Sequence, residues 1–395
     1  MVTCIFIRRR MSMIYMDNGA TSWPKPPEML DAMTEAIRSY CANPGRAGHR
    51  AAARTAHEIY RTRTVAAAVF NIEDPARIIF TKNCTEAINL ALKGILKEGD
   101  HVITSSMEHN SVLRPLRQLE SRGVSTTVIR CDRQGRISLQ DIREAVRVNT
   151  RMIVLTAASN VTGTKMPIEE TGRLALRNGI LFMVDGAQGA GHMELDVRKN
   201  HIDLLAVPGH KGLMGPQGTG FLYVKKGLNL LPLLEGGTGT KSKDQGQPRD
   251  FPEGFEAGTV NAPGIIGLGA SMRVIDRIGI KAIQAHEERL MEKLQRELEN
   301  IRGVTVYGPE DPRDRAAIIA VNIDGIDCET AAAILDERFG IAVRAGFHCS
   351  GLAHDTIGTG DIGCIRLCPG LYTAERDIGT VTDAIAKIAT NSLVH

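Results

Sequence analysis

The sequence of 395 residues lacks several features that mark particular classes of protein. It has no run of the roughly 18 apolar residues that a membrane helix needs, and no basic run interleaved with aromatic residues, as nucleic-acid binding favours. Aromatic residues make up only 4%, and 48 basic residues nearly balance 45 acidic ones. These absences disfavour membrane and nucleic-acid partners and predict a globular protein with a large core.

A disulfide framework is also missing, because the eight cysteines show no compact spacing. In a long chain this pattern is typical of a reducing compartment with free thiols, so we expect a cytoplasmic protein. Near the N-terminus a short apolar run precedes Arg8-Arg9-Arg10, whereas a secretory signal has its basic residues first. We therefore expect residues 1–13 to form a disordered or weakly ordered extension.

Apolar runs alternate with amphipathic stretches through the first two thirds of the chain, which predicts a largely parallel sheet with helical crossovers. The predicted strands are 78–80, 101–104, 124–129, 152–156, 180–184, 204–207 and 220–224. One long helix or two are expected from 265 to about 300, and a small α+β region after them. We therefore predict an α/β protein with a large domain over 14–264, whose first residues pack on the small domain. The linking helix and small C-terminal domain cover 265–395.

Two residues at predicted strand ends suggest a cofactor. Asp185 ends the apolar run 180–184, and Lys211 lies in a glycine-flanked loop soon after the run 204–207. A lysine amine forms a Schiff base with an aldehyde cofactor, and a carboxylate can keep a pyridine nitrogen protonated, which makes the ring an electron sink. Each residue alone has a plainer interpretation, as a turn aspartate and a solvated lysine. Together they suggest a pyridoxal phosphate enzyme, with Gln188 as a donor to the cofactor's phenolic oxygen.

Further motifs follow in a consistent order, including the strand-to-helix segment 81–89 and the segment Arg344-Ala345-Gly346-Phe347-His348-Cys349. With them, the chain from about 15 to about 388 resembles the class V aminotransferase family of pyridoxal phosphate enzymes. Within the family it is similar to the cysteine desulfurase and selenocysteine lyase branch. The resemblance implies the pyridoxal phosphate-dependent transferase fold type I, like aspartate aminotransferase, with a mainly parallel mixed sheet. It also implies a homodimer.

The resemblance assigns further residues to pyridoxal 5'-phosphate. Cys84 and Thr85 would hold the phosphate at a helix start, where N–H groups and the helix dipole favour an anion. His109 would stack on the pyridine ring and move protons, and Asn160 would lie beside the cofactor and the substrate carboxylate. The plainer interpretations are a helix cap for Thr85, a structural or solvated histidine for His109 and a turn for Asn160.

One position departs from the family pattern. Three residues before Lys211, where relatives usually have a hydroxyl residue, this chain has Pro208, which removes one phosphate donor. We therefore expect His210 and the loop around 256–259 to contribute more of the binding. The resemblance implies that Thr259 contacts the phosphate of the partner subunit across the dimer interface.

The substrate end follows from the same resemblance. Arg366 matches the arginine that binds the α-carboxylate of an amino acid, a task for a planar bidentate donor, with Arg344 also at the substrate. Cys349 matches the cysteine that takes sulfur from L-cysteine as a persulfide while alanine leaves. His348 and Arg344 would lower the pKa of this thiol, and an unidentified protein would accept the sulfur. The expected catalytic residues are Lys211, Cys349 and His109.

Several alternatives remain open. A selenocysteine lyase acting on L-selenocysteine needs the same electron sink, and a class V aminotransferase does not need Cys349. Intact Lys211 and Asp185 argue against a sulfur-carrying or metal-binding module without catalysis. Cys368, where relatives usually have serine, is a second candidate sulfur acceptor. The cysteines and histidines of 348–368 make a zinc site conceivable, but their spacing is not of the paired C-x-x-C type, so we expect no metal.

Overall fold

The computed structural model describes residues 13–44 and 48–390. The extension predicted over 1–13 therefore lies outside the described residues, except for Met13. None of the helices in the described ranges is both long enough and apolar enough to cross a bilayer. The described chain begins with strand β1 (Ile14–Tyr15) and continues with helices α1 (Pro27–Ser39) and α2 (Arg50–Val69).

A seven-stranded sheet forms the centre of the larger part of the fold. Its strands are β2 (Ile78–Thr81), β3 (His101–Ser105), β4 (Ser125–Ile129), β5 (Thr150–Thr156), β6 (Leu181–Asp185), β7 (Leu204–Pro208) and β8 (Gly220–Val224). They lie in the order β2-β8-β7-β6-β5-β3-β4, and β8 runs opposite to its neighbours. The central strands are buried on both faces, which is why they read as continuous apolar runs. The predicted mixed, mainly parallel sheet is confirmed, with strand ends shifted by at most two residues.

Helices cover both faces of this sheet. The crossover helices are α3 (Cys84–Ile95), α4 (Asn110–Glu120), α5 (Leu139–Glu144) and α6 (Ile168–Arg177), and α7 (Ala262–Ile278) follows the loop after β8. Buried side chains of α3 and α4 share one core with the sheet, and those of α2 and α7 belong to the core on the other face. The strand ends between these layers remain open at the edge where a site can form.

The predicted helical region from 265 to about 300 consists of two helices. After α7, Gly279 adopts a φ of +88°, a conformation that suits glycine and ends the helix, and α8 (Ile280–Glu299) begins at the next residue. The periodicity left open whether one helix or two would form. A single glycine with positive φ decides it.

The last part of the chain builds a second, four-stranded sheet. The elements of this part of the chain are β9 (Val304–Tyr307), β10 (Ile319–Ile323), α9 (Cys328–Phe339), β11 (Ile341–Ala342), β12 (Arg344–Gly346), α10 (Gly351–Ile357), β13 (Cys364–Leu367) and α11 (Glu375–Ala389). The antiparallel sheet has the order β12-β13-β10-β9, while β1 pairs in parallel with β11. Met16, just after β1, packs in the core formed by α8, α9 and α11. The first described residues thus join the C-terminal part of the fold.

Candidate active site

The predicted site residues gather where the parallel strands of the large sheet end. Asp185 is the last residue of β6, Lys211 follows β7, His109 follows β3 and Asn160 follows β5. Because carboxyl ends of parallel strands meet at one edge of a sheet, these residues face a common crevice. The charges of Asp185 and Lys211 both influence the pKa of His109, so the three side chains form one electrostatic group.

The Asp185 carboxylate is almost fully buried and is held by two donors. Its Oδ1 atom accepts hydrogen bonds from the N–H of Ala187 at 2.9 Å and from the Cys84 thiol at 3.3 Å. Cys84 is the first residue of α3, and the Asn83 side chain caps this helix by accepting from the N–H of Glu86. Burial, and then Asp185, raise the pKa of Cys84, so its thiol stays protonated. The carboxylate thus lies beside a helix start, where N–H groups favour an anion.

Lys211 lies in a loop packed tightly against a second glycine-rich loop. A Cβ atom on Gly212 would lie 2.2 Å from the carbonyl oxygen of Ala190, and one on Gly191 would lie 2.2 Å from the carbonyl oxygen of Gly212. This approach therefore requires glycine at both positions. Burial first, and the charge of Arg366 second, lower the pKa of the Lys211 amine. A lowered pKa favours the neutral, nucleophilic amine.

His210 connects the lysine loop to the segment that follows β1. Its carbonyl oxygen accepts hydrogen bonds from the N–H of Ser22 at 3.0 Å, the amine of Lys25 at 2.8 Å, and the hydroxyls of Thr21 and Ser22. Burial, and then Lys211, lower the pKa of His210 to about 4, so its ring is neutral at neutral pH. The ring Nδ1 is buried and has no hydrogen-bond partner within the described part of the chain. A polar ligand within hydrogen-bond distance would satisfy this nitrogen.

The segment after β1 also reaches the predicted substrate end. Oδ1 of Asp17 accepts a hydrogen bond from Nη2 of Arg366 at 2.9 Å, and the carbonyl oxygen of Gly19 accepts from Nε2 of Gln188 at 3.0 Å. Arg366 is only 1% exposed, and its Nη1 donates to the carbonyl oxygen of Asn160 at 2.9 Å. Sequence reasoning missed Asp17. The available signal was an Asp-Asn-Gly triplet directly after an apolar strand.

Cys368 lies against the same arginine. A Cβ atom on Gly19 would lie 2.8 Å from the Cys368 Sγ and 3.3 Å from the central carbon of the Arg366 guanidinium group. The thiol is buried, and burial raises its pKa although Arg366 opposes the shift. Since the thiolate is the nucleophilic form, this environment disfavours Cys368 as a nucleophile.

Cys349 lies in a short loop between β12 and α10. The φ angles are +51° at His348 and +59° at Cys349, a left-handed conformation that is uncommon for residues other than glycine. In this turn His348 is buried while Cys349 is exposed. Nη2 of Arg344 lies 3.8 Å from the Cys349 Sγ, and the carbonyl oxygen of Cys349 accepts from the N–H of Asn110 at 2.9 Å.

The expectation that His348 lowers the pKa of the Cys349 thiol is wrong. Burial, followed by the charge of Arg366, lowers the pKa of His348 itself to about 2. Its ring therefore carries no positive charge at neutral pH with which to attract a thiolate. Arg344 is the cationic side chain that lies beside Cys349.

Asn160 fixes the cysteine loop to the large sheet. Its Nδ2 donates to the carbonyl oxygen of His348 at 2.7 Å, and its Oδ1 accepts from the hydroxyl of Ser350 at 2.7 Å. These two partners flank Cys349 in the chain. Asn160 therefore positions the exposed thiol. The sequence predicted Asn160 beside the cofactor and did not predict these contacts with the cysteine loop.

A cavity of about 340 Å³ joins three of the predicted residues, His109, Thr85 and Cys349. Nδ1 of His109 accepts from the N–H of Ser111 at 3.0 Å, so the neutral ring carries its hydrogen on Nε2. Burial lowers the pKa of His109. A larger cavity of about 680 Å³ lies near the C-terminal end of α3 and includes none of the predicted site residues. The site is therefore located by its chemistry and not by cavity size.

Thr259 is exposed in the loop before α7. Glu256 fixes this loop to the edge of the large sheet, because its carboxylate accepts from Nη2 of Arg63 at 2.5 Å and from the N–H of Phe80 at 2.6 Å. The contact expected of Thr259 is with a partner subunit, so it stays a prediction.

A mainly parallel sheet with a buried aspartate and a partly buried lysine at its strand ends is the arrangement of the pyridoxal phosphate-dependent transferases of fold type I. The chain belongs to the class V aminotransferase family, whose model matches residues 14–381. The family and fold predicted from the sequence are thereby confirmed.

Curated relatives and solved structures agree with this placement. A probable cysteine desulfurase of Methanothermobacter thermautotrophicus is 39% identical over 388 residues, covering 95% of this chain and 94% of that protein. A cysteine desulfurase of Escherichia coli K12 is 34% identical and covers 86% of this chain and 85% of its own length. The apo structure of a cysteine desulfurase from Thermococcus onnurineus has a TM-score of 0.91 at 34% identity, covering 96% and 95% of the two chains.

Proposed function

We propose that this chain is a pyridoxal phosphate-dependent cysteine desulfurase, which converts L-cysteine to L-alanine and retains the sulfur as a persulfide on Cys349. The observation that carries the proposal is the position of Cys349, exposed at a cavity that also contains His109 and Thr85. The relatives named cysteine desulfurases support the same activity.

The residues present fit pyridoxal phosphate. The N-terminus of α3, at Cys84 and Thr85, suits the phosphate, and the unpartnered Nδ1 of His210 offers a further polar contact. Asp185 would pair with the pyridine nitrogen, and Lys211 would hold the aldehyde carbon. Gln188 would donate to the phenolic oxygen. When bound, the cofactor supplies an electron sink for the carbanion that develops at the substrate α-carbon.

The chain's own groups bind and orient the substrate. Arg366 would bind the α-carboxylate of cysteine through its guanidinium group, which is already held in place by Asp17 and Asn160. The lowered pKa of Lys211 suits its amine to take the α-proton and later return one. His109 would contact the cofactor ring and exclude water from that face.

Sulfur transfer is assigned to Cys349. Its thiolate would attack the substrate sulfur and form an S–S bond while the substrate's C–S bond breaks. The electron pair of the broken bond stays with the substrate carbon, which takes a proton and leaves as alanine. Nη2 of Arg344, which lies 3.8 Å from the Cys349 sulfur, would donate a hydrogen bond to it.

Four further expectations belong to this proposal. The exposure of Cys349 suits delivery of sulfur to an acceptor protein, and the exposed Thr259 on its fixed loop suits a homodimer contact. The seven described cysteines are free, which suits a reducing cytoplasm. A separate core with its own sheet supports a small domain over 265–395 beside a large domain over 14–264.

The test is the release of alanine and sulfide from L-cysteine, with a reductant, by the purified protein loaded with cofactor. We expect Cys349→Ser to keep the cofactor absorbance and to lose alanine production, whereas Cys368→Ser should retain it. Alanine production at the parent rate by Cys349→Ser would overturn the assignment. A loaded protein that is inert toward cysteine but active on selenocysteine, or on amino-acid and keto-acid pairs, would point to one of the rival activities.

A further inference from the structure

Three buried side chains beside the cysteine loop direct metal-ligating atoms toward one another. Nδ1 of His348 lies 3.4 Å from Nε2 of His354 and 3.9 Å from Sγ of Cys364. All three ligating atoms lie within 4.8 Å of one another. His348 is 3% exposed, and His354 and Cys364 are both 0% exposed. The proposed reaction uses none of these side chains.

Both imidazole rings have a hydrogen-bond partner on the side that faces away from this cluster. Nε2 of His348 lies 3.4 Å from the carbonyl oxygen of Arg344, and Nδ1 of His354 lies 2.7 Å from Oγ1 of Thr359. A carbonyl oxygen only accepts, so Nε2 of His348 carries the hydrogen and its Nδ1 directs a lone pair into the cluster. Histidines that ligate a metal are oriented in this way by an acceptor on the other nitrogen.

The spacing fits one tetrahedral ion. Zinc bonds of about 2.0–2.1 Å to nitrogen and about 2.3 Å to sulfur place two ligating atoms about 3.3–3.6 Å apart. The observed separations from His348 Nδ1 are 3.4 Å to His354 Nε2 and 3.9 Å to Cys364 Sγ. The third separation, from His354 Nε2 to Cys364 Sγ, is at most 4.8 Å. A side-chain movement of at most about 1 Å would therefore bring all three atoms to bonding distance.

We propose that His348, His354 and Cys364 bind one thiophilic divalent cation, with zinc as the preferred ion. Two imidazoles and one thiolate form a ligand set that suits zinc, and the fourth position is left for solvent. On binding, the Cys364 thiol loses its proton to solvent, and the thiolate offsets part of the ion's charge. The charges of Arg366 and Arg344 both oppose binding at His348, and the ion pair of Arg366 with Asp17 reduces its share of that repulsion.

The proposed ion would restrain the reactive loop. His348 immediately precedes Cys349, and both have positive φ angles, of +51° and +59°. A bond from the His348 ring to a metal that is also held by α10 and β13 would keep this turn in its strained form. The site is distinct from the group formed by Lys211 and Asp185, so its occupancy can be measured whether or not the protein is a desulfurase.

The experiment measures zinc retained by the cofactor-loaded protein after incubation with zinc and exhaustive dialysis, by elemental analysis. We expect about one ion per chain in the parent protein. Cys364→Ser and His354→Gln should each retain less than about a tenth of that amount, because each removes a ligand. Thr359→Val keeps all three ligands and should weaken zinc affinity by about 10- to 100-fold. Cys131→Ser, which removes a buried thiol outside the cluster, should bind like the parent.

Two controls separate this site from other zinc binding and from misfolding. Cys349→Ser should retain the ion, and cobalt added to that variant should give a thiolate-to-cobalt absorption that Cys364→Ser lacks. Circular dichroism establishes whether each variant is folded. If a ligand variant does not fold, the weaker zinc affinity expected of Thr359→Val tests the site in its place. A parent protein that retains no zinc would overturn the proposal, and so would equal retention by the parent and every folded ligand variant. Loss of the ion in Cys349→Ser with retention in Cys364→Ser would assign the metal to a different thiol and also overturn it.

Discussion

Replacing Arg366 by lysine tests how this chain binds the substrate carboxylate. The Arg366 side chain is 1% exposed, and its guanidinium group donates to Asp17 and to the carbonyl oxygen of Asn160, both at 2.9 Å. Its Nε has no partner within the described ranges. Lysine keeps the positive charge and can still pair with Asp17, but it lacks the planar fork that contacts a carboxylate twice. The substitution should therefore remove one charge-assisted hydrogen bond to the substrate.

The expected loss is about 1.5–3 kcal/mol, the usual contribution of a hydrogen bond to a charged group. This corresponds to a decrease of about 10- to 150-fold in kcat/KM for L-cysteine. The affinity for L-alanine, measured from the change in cofactor absorbance on binding, should weaken by a similar factor. Binding of ethylamine, which has the same amine and no carboxylate, should change little. Arg315→Lys is a matched control, because Arg315 is also buried and donates to backbone carbonyls away from the site.

Two outcomes would refute this reasoning. One is an Arg366→Lys protein with parent-like kcat/KM, since the fork would then contribute nothing to binding. The other is equal weakening of alanine and ethylamine binding, because the substitution would then have disturbed the site as a whole rather than the carboxylate contact.

Three further substitutions have expected outcomes. Asn160→Ala removes two buried hydrogen bonds to the cysteine loop, about 2 kcal/mol in total, so sulfide release should fall by about 10- to 100-fold while the cofactor absorbance persists. Glu256→Gln leaves the buried charge of Arg63 unpaired and should lower the free energy of unfolding in urea by about 3 kcal/mol; an unchanged urea midpoint would contradict this. Burial raises the pKa of Glu108 to about 8. Between about pH 4.5 and 8 the folded state therefore binds more protons than the unfolded state, so the free energy of unfolding falls as the pH rises through this range. Glu108→Gln should lack that part of the decline, and parallel urea profiles of parent and variant between pH 5 and about pH 9 would argue against it.

Local patterns in the sequence predicted the parts of the fold that depend on local chemistry. The strand ending at Asp185 and the helix beginning at Cys84 are where apolar runs and capping residues indicate them. The sequence could not show that Asp17 pairs with Arg366, because 349 positions separate the two residues in the chain. It also could not show that His348 is buried and neutral, since the left-handed turn that separates it from Cys349 depends on contacts with other segments.

The contacts of Arg366 explain how distant segments of the chain form the proposed substrate site. The arginine lies on β13 of the small sheet, Asp17 follows β1, and Asn160 follows β5 of the large sheet. A buried guanidinium group without partners would be strongly destabilising, so it is stable in this place only when all three segments are assembled. The same Asn160 bonds both neighbours of Cys349 in the chain. The positions of Arg366, the proposed carboxylate ligand, and of the Cys349 thiol, the proposed sulfur acceptor, therefore both depend on contacts with Asn160.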